Sequence, residues 1–535
     1  MKRWNGWGDS AKPYHLAGSA VQYLTQNLGE LAPAPDASYQ SVLQAVSESR
    51  LKYHPAVDSS AEARLAHARG QSLPDWIALR TGRIGCTPDG VVFPNSGADV
   101  QDLLRFARQH KIQLIPYGGG TSVVGHINPL PGEQPVLSVD MSRMANLVGL
   151  DETSHLAVFQ AGVCGPELEK QLNLRGFTLG HYPQSFEYST LGGWVATRSS
   201  GQQSYYYGRI EALFAGGVVE TPQGRWDFRS LPASAAGPDL RQLFLGSEGR
   251  LGILTEAELR VRPLACYEAF YGVFLPDWSK GIEAVKKIAQ GRLQVSMLRL
   301  SDATETESTL ILSGKDELVK WAERGLRLFR YGPERCLLVF GVTGERAGAR
   351  QVRRQVEAIC REHGSLPAIQ TIGELWRKNR FRTPYLRNTL WEIGVAVDTL
   401  ETALPWRQAP ETVQAVRQAI TQAMSFFGEP VIVFTHLSHV YPDGASIYTT
   451  FLFRRCADPD ELLERWQAMK AAASLAILEH GGTISHQHGV GVDHAPYLSV
   501  EKGAVGIRTL EAACQALDPD GLMNPGKLLP EDTTG

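Results

Sequence analysis

Apolar and polar positions change their spacing along the chain, and these changes predict its strands and helices. The short apolar run Val91–Phe93 predicts a strand. Ser96, with Asp99 three residues on, is typical of a helix N-terminus, and apolar residues then recur at helical spacing as far as Ala107. A second apolar run, Ile112–Ile115, completes a strand–helix–strand unit. Two further strands are predicted at Val136–Val139 and Leu156–Gln160.

The pattern changes at Pro263–Cys266. Beyond this point predicted strands alternate with helical stretches such as Val352–His363 and Pro459–His480. The strands are Phe270–Leu275, Ser296–Leu300, Cys336–Val342 and Tyr448–Phe453. This alternation predicts a mixed sheet with helices on one side.

Composition narrows the class of protein. A chain of 535 residues is too long for one ordinary core, so two or three domains are expected. A net charge of −3 gives no reason to expect nucleic acid as a partner. The 7 cysteines are scattered and contain no CxxC, which argues against a disulfide framework, a zinc ribbon or an iron–sulfur cluster. No signal peptide or apolar spanning segment is evident, and we expect a cytoplasmic protein.

A glycine-rich loop is the main candidate for cofactor binding. Pro116–Ser122 (PYGGGTS) directly follows a predicted strand. Three glycines expose consecutive backbone N–H groups that can surround a pyrophosphate, and two hydroxyls add donors. Three glycines alone more often form a tight turn. Neither a GxGxxG fingerprint nor a Walker A sequence is present, so a dinucleotide would require a different fold.

Four segments together resemble the flavin domain of the vanillyl-alcohol-oxidase (PCMH-type) superfamily. They are residues 91–125, 184–193 (QSFEYSTLGG), 197–201 (TRSSG) and 246–253 (GSEGRLGI). The resemblance implies FAD, bound noncovalently because the positions that tether flavin in some members are Gly, Thr and Ser here. His126 is the nearest other tether candidate, and we expect a structural role for it. The implied cofactor-binding residues are Pro116, Tyr117, Gly118, Gly119, Gly120, Thr121, Ser122, Gln184, Ser185, Ser189, Thr190, Gly193, Thr197, Arg198, Ser200, Glu248, Gly252 and Ile253.

Other segments extend the resemblance over nearly the whole chain. Arg3–Gly8 (RWNGWG), Leu400–Trp406 (LETALPW) and Gly481–Gly491 (GGTISHQHGVG) resemble alkyldihydroxyacetonephosphate synthases. This implies an α+β fold: a PCMH-type FAD-binding domain of two α/β subdomains, an α+β cap domain with a mixed or antiparallel sheet, and a C-terminal segment that closes the active site. The expected boundaries are a helical segment at 1–80, the FAD domain at 81–265, the cap at 266–475 and the C-terminal segment at 476–535.

The same resemblance implies an enzyme of ether-lipid biosynthesis. Such synthases are alkyl transferases that exchange the acyl group of acyl-dihydroxyacetone phosphate for a long-chain alcohol without net redox. A base removes a proton beside the ketone, and flavin N5 holds the dihydroxyacetone carbon while the carboxylate leaves. A lipid-like substrate and a homodimer are implied. Peripheral contact with the inner membrane face stays open.

Three candidate catalytic residues lie in the cap. Arg387 matches the family's substrate-binding arginine, and a surface ion pair is the alternative because other basic residues surround it. Arg299 matches another functional arginine, and a salt bridge with Asp302 is the alternative. Tyr448 matches a tyrosine proposed as an acid, base or positioning group, and a core aromatic is the alternative.

The C-terminal loop supplies the other two candidates, His486 and His488. The family carries three consecutive histidines here, and this chain has Gln487 in the middle. Glutamine cannot accept a proton near neutral pH. If the middle position is the base, that step is lost or proceeds through another group. The alternative is that both histidines only satisfy backbone carbonyls of the turn.

Two other functions compete with the synthase. The first is an FAD-dependent dehydrogenase or oxidase of 2-hydroxy acids, of the D-lactate or glycolate type, which the C-terminal motifs also resemble. Some of these enzymes bind a divalent metal through histidines, and His436 and His439 could join His486 and His488 in such a site. The spacing is a weak signal, and we expect no metal. The second is a flavin-binding scaffold without activity, which the retention of Arg299, Arg387, Tyr448 and His488 disfavours.

Overall fold

The computed structural model describes residues 2–52, 54–312 and 331–529. The chain begins with four short helices, α1 (Gly18–Leu28), α2 (Tyr39–Gln44), α3 (Ala61–Ala66) and α4 (Leu73–Thr81). Serine side chains cap three of them. At α4, Ser72 and Asp75 form a reciprocal capping box, and Trp76 on this helix is fully buried against the second half of the chain.

A small parallel sheet follows and presents the glycine loop. Its strands are β1 (Gly90–Val92), β2 (Gln113–Tyr117) and β3 (Val136–Asp140), in the order β1-β3-β2. Helix α5 (Gly97–His110) connects β1 to β2. Ser96 accepts a hydrogen bond from the Asp99 amide and starts α5, whose apolar side packs on the sheet. Since β2 ends at Tyr117, the glycines that follow lie at its carboxyl end.

A five-stranded antiparallel sheet follows, and together with the small parallel sheet it forms the part of the chain predicted to bind flavin, here called the flavin half. Its strand order is β4-β5-β9-β7-β8, and the short strands β6 and β10 pair beside it. The elements are β4 (Leu147–Asp151), β5 (Leu156–Gln160), α6 (Gly165–Asn173), β6 (Phe177–Thr178), α7 (Leu191–Thr197), α8 (Ser204–Tyr207), α9 (Ile210–Leu213), β7 (Phe214–Thr221), β8 (Gly224–Phe228), α10 (Arg241–Phe244), β9 (Ile253–Arg260) and β10 (Arg262–Pro263). A core around Phe159, Trp194 and Phe214 joins α6 and α7 to this sheet.

The second half is built on a six-stranded antiparallel sheet of order β11-β13-β12-β15-β16-β14. Its elements are β11 (Tyr267–Leu275), α11 (Trp278–Gln290), β12 (Val295–Ser301), α12 (Ala303–Leu312), β13 (Cys336–Gly344), α13 (Arg346–Glu362), α14 (Gln370–Asn379), α15 (Thr383–Glu392), β14 (Val395–Pro405), α16 (Ala409–Ser425), β15 (Val431–Val440), β16 (Gly444–Arg454), α17 (Pro459–Glu479) and α18 (Ala495–Leu517). Every pairing in this sheet is antiparallel.

Helices pack on both faces of this sheet, so the prediction of helices on one side is wrong. Residues such as Tyr271 and Val273 in β11 face α11 and α13, whereas Phe270 and Phe274 face α14. Alternate residues of a strand point to opposite faces, and here both sets are apolar. An unbroken apolar run shows that both faces are buried but does not indicate which element covers each face.

The end of the chain returns to the flavin half. Leu114 of β2 donates its amide to Leu522, and the Asn524 amide donates to the Leu114 carbonyl. The loop between α17 and α18 also lies close to the glycine loop, because the Val492 amide donates to the Val124 carbonyl at 2.8 Å. Among the described residues, no helix combines the length and apolar character needed to cross a membrane.

Candidate active site

A cavity of about 1110 Å³ lies between the flavin half and the six-stranded sheet. Its walls come from the glycine loop, the segments around residues 184–200 and 248–253, and the cap. All of the predicted cofactor residues line this cavity except Arg198. The Arg198 guanidinium instead donates to the Gln242 side chain. A cavity of this size suits a large cofactor together with a substrate.

The glycines of the loop are required by close packing. A Cβ on Gly118 would lie 2.2 Å from Thr190 Oγ1, and one on Gly119 would lie 1.8 Å from the Tyr188 carbonyl oxygen. Gly120 has φ +71°, a region that favours glycine. The loop therefore lies against the second flavin segment, where Thr190 caps α7 by accepting from the Gly193 amide. Together these segments form a wall of backbone and hydroxyl groups suited to a dinucleotide pyrophosphate.

Part of the cavity is apolar. Phe274, Leu337 and Val339 on one face of the sheet pack with Ile372 and Trp376 of α14, and all five line the cavity. These side chains offer no charged or hydrogen-bonding group except the indole N–H of Trp376. This arm of the cavity suits a hydrocarbon chain.

Arg387 on α15 is half-buried as a residue, while part of its guanidinium is fully buried. Its Nη1 donates to the Gln71 carbonyl, and its guanidinium lies 4.3 Å from the ring centroid of Trp76. Nε and Nη2 are buried without a partner among the described residues. Burial lowers the pKa of Arg387 to about 10, so it stays charged at neutral pH. It lines the cavity and makes no ion pair with the described residues, so the surface ion-pair alternative is wrong.

Arg299 on β12 pairs with Glu305 and not with Asp302. Its Nη2 lies 2.8 Å from Glu305 Oε1, while Asp302 pairs with Arg417. His436 Nδ1 lies 2.9 Å from the same Glu305 oxygen. Burial raises the pKa of Glu305, but His436 and Arg299 together lower it to about 2. The carboxylate therefore fixes an arginine and a histidine that both line the cavity.

Tyr448 lies in a row of polar residues that the strand register brings together. Glu401 of β14 and His436 of β15 are its direct neighbours across the sheet. The Tyr448 ring stacks on His436 at 4.8 Å, its hydroxyl donates to Thr399 at 3.1 Å, and His488 meets its edge at 5.6 Å. Burial raises the pKa of the phenol, so Tyr448 is protonated at neutral pH and can donate a proton.

The two histidines of the C-terminal loop have different surroundings. His488 lines the cavity, and its Nε2 lies 3.8 Å from Glu401 Oε2. His486 is outside the described lining: its Nδ1 lies 2.9 Å from Glu401 Oε1, and its Nε2 contacts Tyr441 and Arg209. Neither imidazole forms a hydrogen bond with a backbone carbonyl of the described residues, so the alternative of a purely structural turn is not supported. Burial lowers the pKa of both, so His488 is a neutral base at pH 7.

The four histidines considered as metal ligands do not form one group. His439 and His486 lie with Glu401, and their ligand atoms are within 4.8 Å of one another. His436 and His488 instead contact Tyr448. The Arg209 guanidinium bonds His486 Nε2, which places a positive charge beside the ligand atoms of this group.

The sequence interpretation missed several groups that hold the predicted residues. Glu401 contacts both loop histidines and lies inside the LETALPW segment, so that motif was the available signal. Glu305, Gln71 and Trp76 had no such signal, because their roles depend on contacts with residues far away in the chain. Gln487 lines the cavity and forms no side-chain hydrogen bond with the described residues.

Two known protein families match successive parts of the chain. The FAD binding domain family matches residues 88–226, and the family of the C-terminal domain of FAD linked oxidases matches residues 265–528. The chain therefore carries an FAD-binding domain, and the glycine-loop wall is the part of the structure that fits this cofactor.

Curated relatives and solved structures extend the match to nearly the full length. Alkyldihydroxyacetonephosphate synthase of Dictyostelium discoideum is 32% identical, covering 88% of this chain and 77% of its own length. The synthase of Trypanosoma brucei brucei is 30% identical, covering 99% and 92%. A solved alkyldihydroxyacetonephosphate synthase structure has a TM-score of 0.84 at 28% identity, covering 98% and 99% of the two chains. A substrate-bound p-cresol methylhydroxylase, 13% identical with a TM-score of 0.68, shares the fold.

Proposed function

Because this chain belongs to the alkyldihydroxyacetonephosphate synthase family, we propose that it exchanges the acyl group of an acyl-dihydroxyacetone phosphate for a long-chain alcohol. The observation that carries the proposal is the composition of one cavity. It combines a flavin-binding wall, Arg387, which forms no ion pair with the described residues, and an apolar arm lined by Phe274 and Trp376. The phosphate of this substrate needs a cation such as Arg387, the reacting carbon needs the flavin, and the hydrocarbon chain needs the apolar arm.

The charged and apolar groups divide the substrate between them. Arg387 can offer Nε and Nη2, which have no partner among the described residues, to the phosphate, and this fork geometry suits its oxygens. Arg299 carries its charge beside Tyr448 and His436, where it can stabilise a departing carboxylate. The side chains around Phe274 and Trp376 take the hydrocarbon chain.

The reaction needs proton transfers at the dihydroxyacetone carbon. The C–O bond to the acyl carboxylate breaks, a C–O bond to the alcohol oxygen forms, and the proton lost by the alcohol leaves with the fatty acid. His488, neutral at pH 7, takes the proton beside the ketone and returns it. Tyr448 donates its proton to the leaving oxygen and regains a proton from the attacking alcohol. Bound FAD supplies an electrophilic ring, and no net oxidation occurs.

The cavity still contains a histidine base although Gln487 occupies the middle position of the motif. The middle histidine of the family motif is absent, yet His488 lines the cavity and contacts Tyr448. We therefore assign proton transfer to His488 and Tyr448, with the Glu401 carboxylate 3.8 Å from the His488 imidazole.

An exchange assay tests the proposal. FAD-loaded protein is incubated with an acyl-dihydroxyacetone phosphate and a labelled long-chain alcohol, and labelled alkyl product and released fatty acid are measured. We expect both in equal amounts, and Tyr448→Phe should slow their formation. No product under conditions that support a known synthase would contradict the proposal.

The hydroxy-acid alternative predicts a different signal. Relatives at 26% identity include a mitochondrial D-lactate dehydrogenase from Arabidopsis thaliana and glycolate oxidase subunit GlcD from Bacillus subtilis. Anaerobic D-lactate or glycolate would bleach the flavin absorbance of such an enzyme. We expect the absorbance of this protein to stay unchanged.

We also propose a cytoplasmic homodimer that touches a membrane only at its periphery. Seven unpaired cysteines support a reducing compartment, and the dimer rests on the family resemblance. Sedimentation of the FAD-loaded protein, with and without lipid vesicles, would report both properties. Sedimentation as a monomer would contradict the dimer, and failure to bind the vesicles would contradict the membrane contact.

A further inference from the structure

The N-terminal motif Arg3–Gly8, here called the N-terminal strap, lies against the helix that carries Arg387. The Trp7 amide donates to Asn388 Oδ1 at 3.1 Å, and Asn388 Nδ2 donates to the Trp7 carbonyl at 2.9 Å. Asn388 is the residue after Arg387 on α15 and is 4% exposed. The strap and α15 are thus joined by two reciprocal hydrogen bonds in a buried setting, where losing either is costly.

The two glycines of the strap permit this close approach. A Cβ on Gly6 would lie 2.4 Å from Asn388 Oδ1. Gly8 has φ +77°, and a Cβ there would lie 2.4 Å from the Tyr385 ring, which is also on α15. The spacing of the WNGWG sequence is therefore explained by contact with one face of this helix.

Arg80 connects the strap to α15 a second time. Its Nε donates to the Asn5 carbonyl at 2.5 Å, and its Nη2 donates to Asn388 Oδ1 at 3.3 Å. Its third nitrogen pairs with Asp36 at 2.6 Å. The Asn388 amide oxygen thus accepts from both Trp7 and Arg80.

Gln71 links the strap, Arg387 and the glycine loop. Its side-chain Nε2 donates to the Gly6 carbonyl at 3.4 Å, and its backbone amide donates to the Ser122 carbonyl at 2.6 Å. Its own carbonyl accepts from Arg387. Its Oε1 accepts from the indole N–H of Trp76, on whose ring Arg387 lies.

We propose that the N-terminal strap, acting through Asn388 and Gln71, fixes the distance between Arg387 and the glycine loop. This distance in turn sets the affinity of the protein for the phosphate of the substrate. Arg387 has no ion pair with the described residues, so its position depends on α15, Trp76 and Gln71. Asn388 and Gln71 are positioning residues that act through Arg387. The inference rests on the proposed function, because it takes Arg387 to bind the substrate anion.

Two variants test the strap from opposite sides. Asn388→Leu removes both bonds to Trp7 at similar volume, and Gly6→Ala places a Cβ against Asn388. Gly18→Ala is the matched control, because a Cβ there meets nothing within 4 Å. The FAD-loaded proteins are titrated with inorganic phosphate by calorimetry, and KM and kcat are measured with the acyl-ketone phosphate. Flavin content and thermal midpoint are recorded for each.

We expect both strap variants to keep FAD and to bind phosphate at least about tenfold more weakly, a small displacement being enough for that loss. KM should rise by a larger factor than kcat falls, and Gly18→Ala should match the wild type. Gln71→Met, which keeps the carbonyl that Arg387 uses, should give a smaller loss of the same kind.

The outcomes separate the two claims. If the strap variants bind phosphate as the wild type does while Arg387→Met does not, the strap inference is wrong and the proposed function stands. If wild type and Arg387→Met bind phosphate equally, the anion role of Arg387 is wrong, and the proposed function loses its main support. Loss of FAD in all three variants, Asn388→Leu, Gly6→Ala and Gln71→Met, would show a general structural role and overturn the inference.

Discussion

Arg387 is a residue whose burial is costly unless a ligand compensates it. Two of its N–H-bearing nitrogens are buried without partners in the described chain. Replacing a charge that lacks a compensating partner with an apolar side chain of similar size removes a desolvation cost. We expect Arg387→Met to leave the thermal midpoint unchanged or higher while kcat/KM falls by at least about a hundredfold. A variant that loses stability and activity in parallel would contradict a binding role.

Gln487 and His488 are neighbours whose variants should differ in effect. His488 contacts Tyr448 and Glu401, whereas Gln487 forms no side-chain hydrogen bond with described residues. General base catalysis contributes roughly 10²–10⁴-fold. We expect His488→Gln to lower kcat by that range and Gln487→Ala to change it by less than about tenfold. If Gln487→Ala lowers kcat more than His488→Gln does in an exchange assay, proton transfer would belong to the middle position of the motif.

At the scale of elements, the glycine loop is fixed by the segment against which it packs. A Cβ on Gly119 would overlap the Tyr188 carbonyl, and the loop would have to move from the flavin wall. We expect Gly119→Ala to be purified without bound-flavin absorbance. Gly132→Ala is the control, because nothing lies within 4 Å of a Cβ there. Normal FAD content in Gly119→Ala would show that the loop is not the flavin wall.

Strand irregularity also shapes the site. His436 and His439 are three residues apart on β15, so a regular strand would point them to opposite faces. The pairing with β16 shifts between Leu437 and Val440, and both histidines line the cavity. A bulge of this kind re-aims one side chain, and the apolar pattern gave no sign of it.

At the scale of the whole molecule, buried histidines link stability to pH. Burial lowers the pKa of His181 and His494 to about 3, and it also lowers the pKa of His436, His439, His486 and His488. Below about pH 6.5 the unfolded chain binds protons that the folded chain does not, so stability falls as pH falls. Each group contributes up to about 1.4 kcal/mol per pH unit.

Three carboxyl groups oppose this trend. Burial raises the pKa of Asp493 to about 7 and of Asp302 to about 6, and it also raises that of Glu169. As pH falls, protonation of these three groups stabilises the folded protein. Within the described residues, however, they are fewer than the six histidines with a lowered pKa. We expect the thermal midpoint to fall between pH 7 and pH 5. A midpoint that rises over this range would contradict the buried neutral histidines.

The sequence by itself determined the elements and the family. Helix caps such as Ser96, the apolar stripe of α5 and the strand at Leu156–Gln160 depend on neighbours close in the chain, so local pattern was sufficient. The ordered flavin segments and the RWNGWG motif identified an FAD enzyme of this family, and the relatives confirm it.

Only the tertiary structure decided what surrounds each site residue. Arg387 and Gln71 are 316 residues apart, Glu305 and His436 are 131 apart, and Trp7 and Asn388 are 381 apart. Burial and partner choice at such separations depend on how whole sheets and helices pack. The family resemblance suggested Arg387 and Tyr448 as candidates, but local spacing carries no information about that packing. It could not show that two nitrogens of the Arg387 guanidinium are buried without a partner among the described residues, whereas Arg299 is held by Glu305.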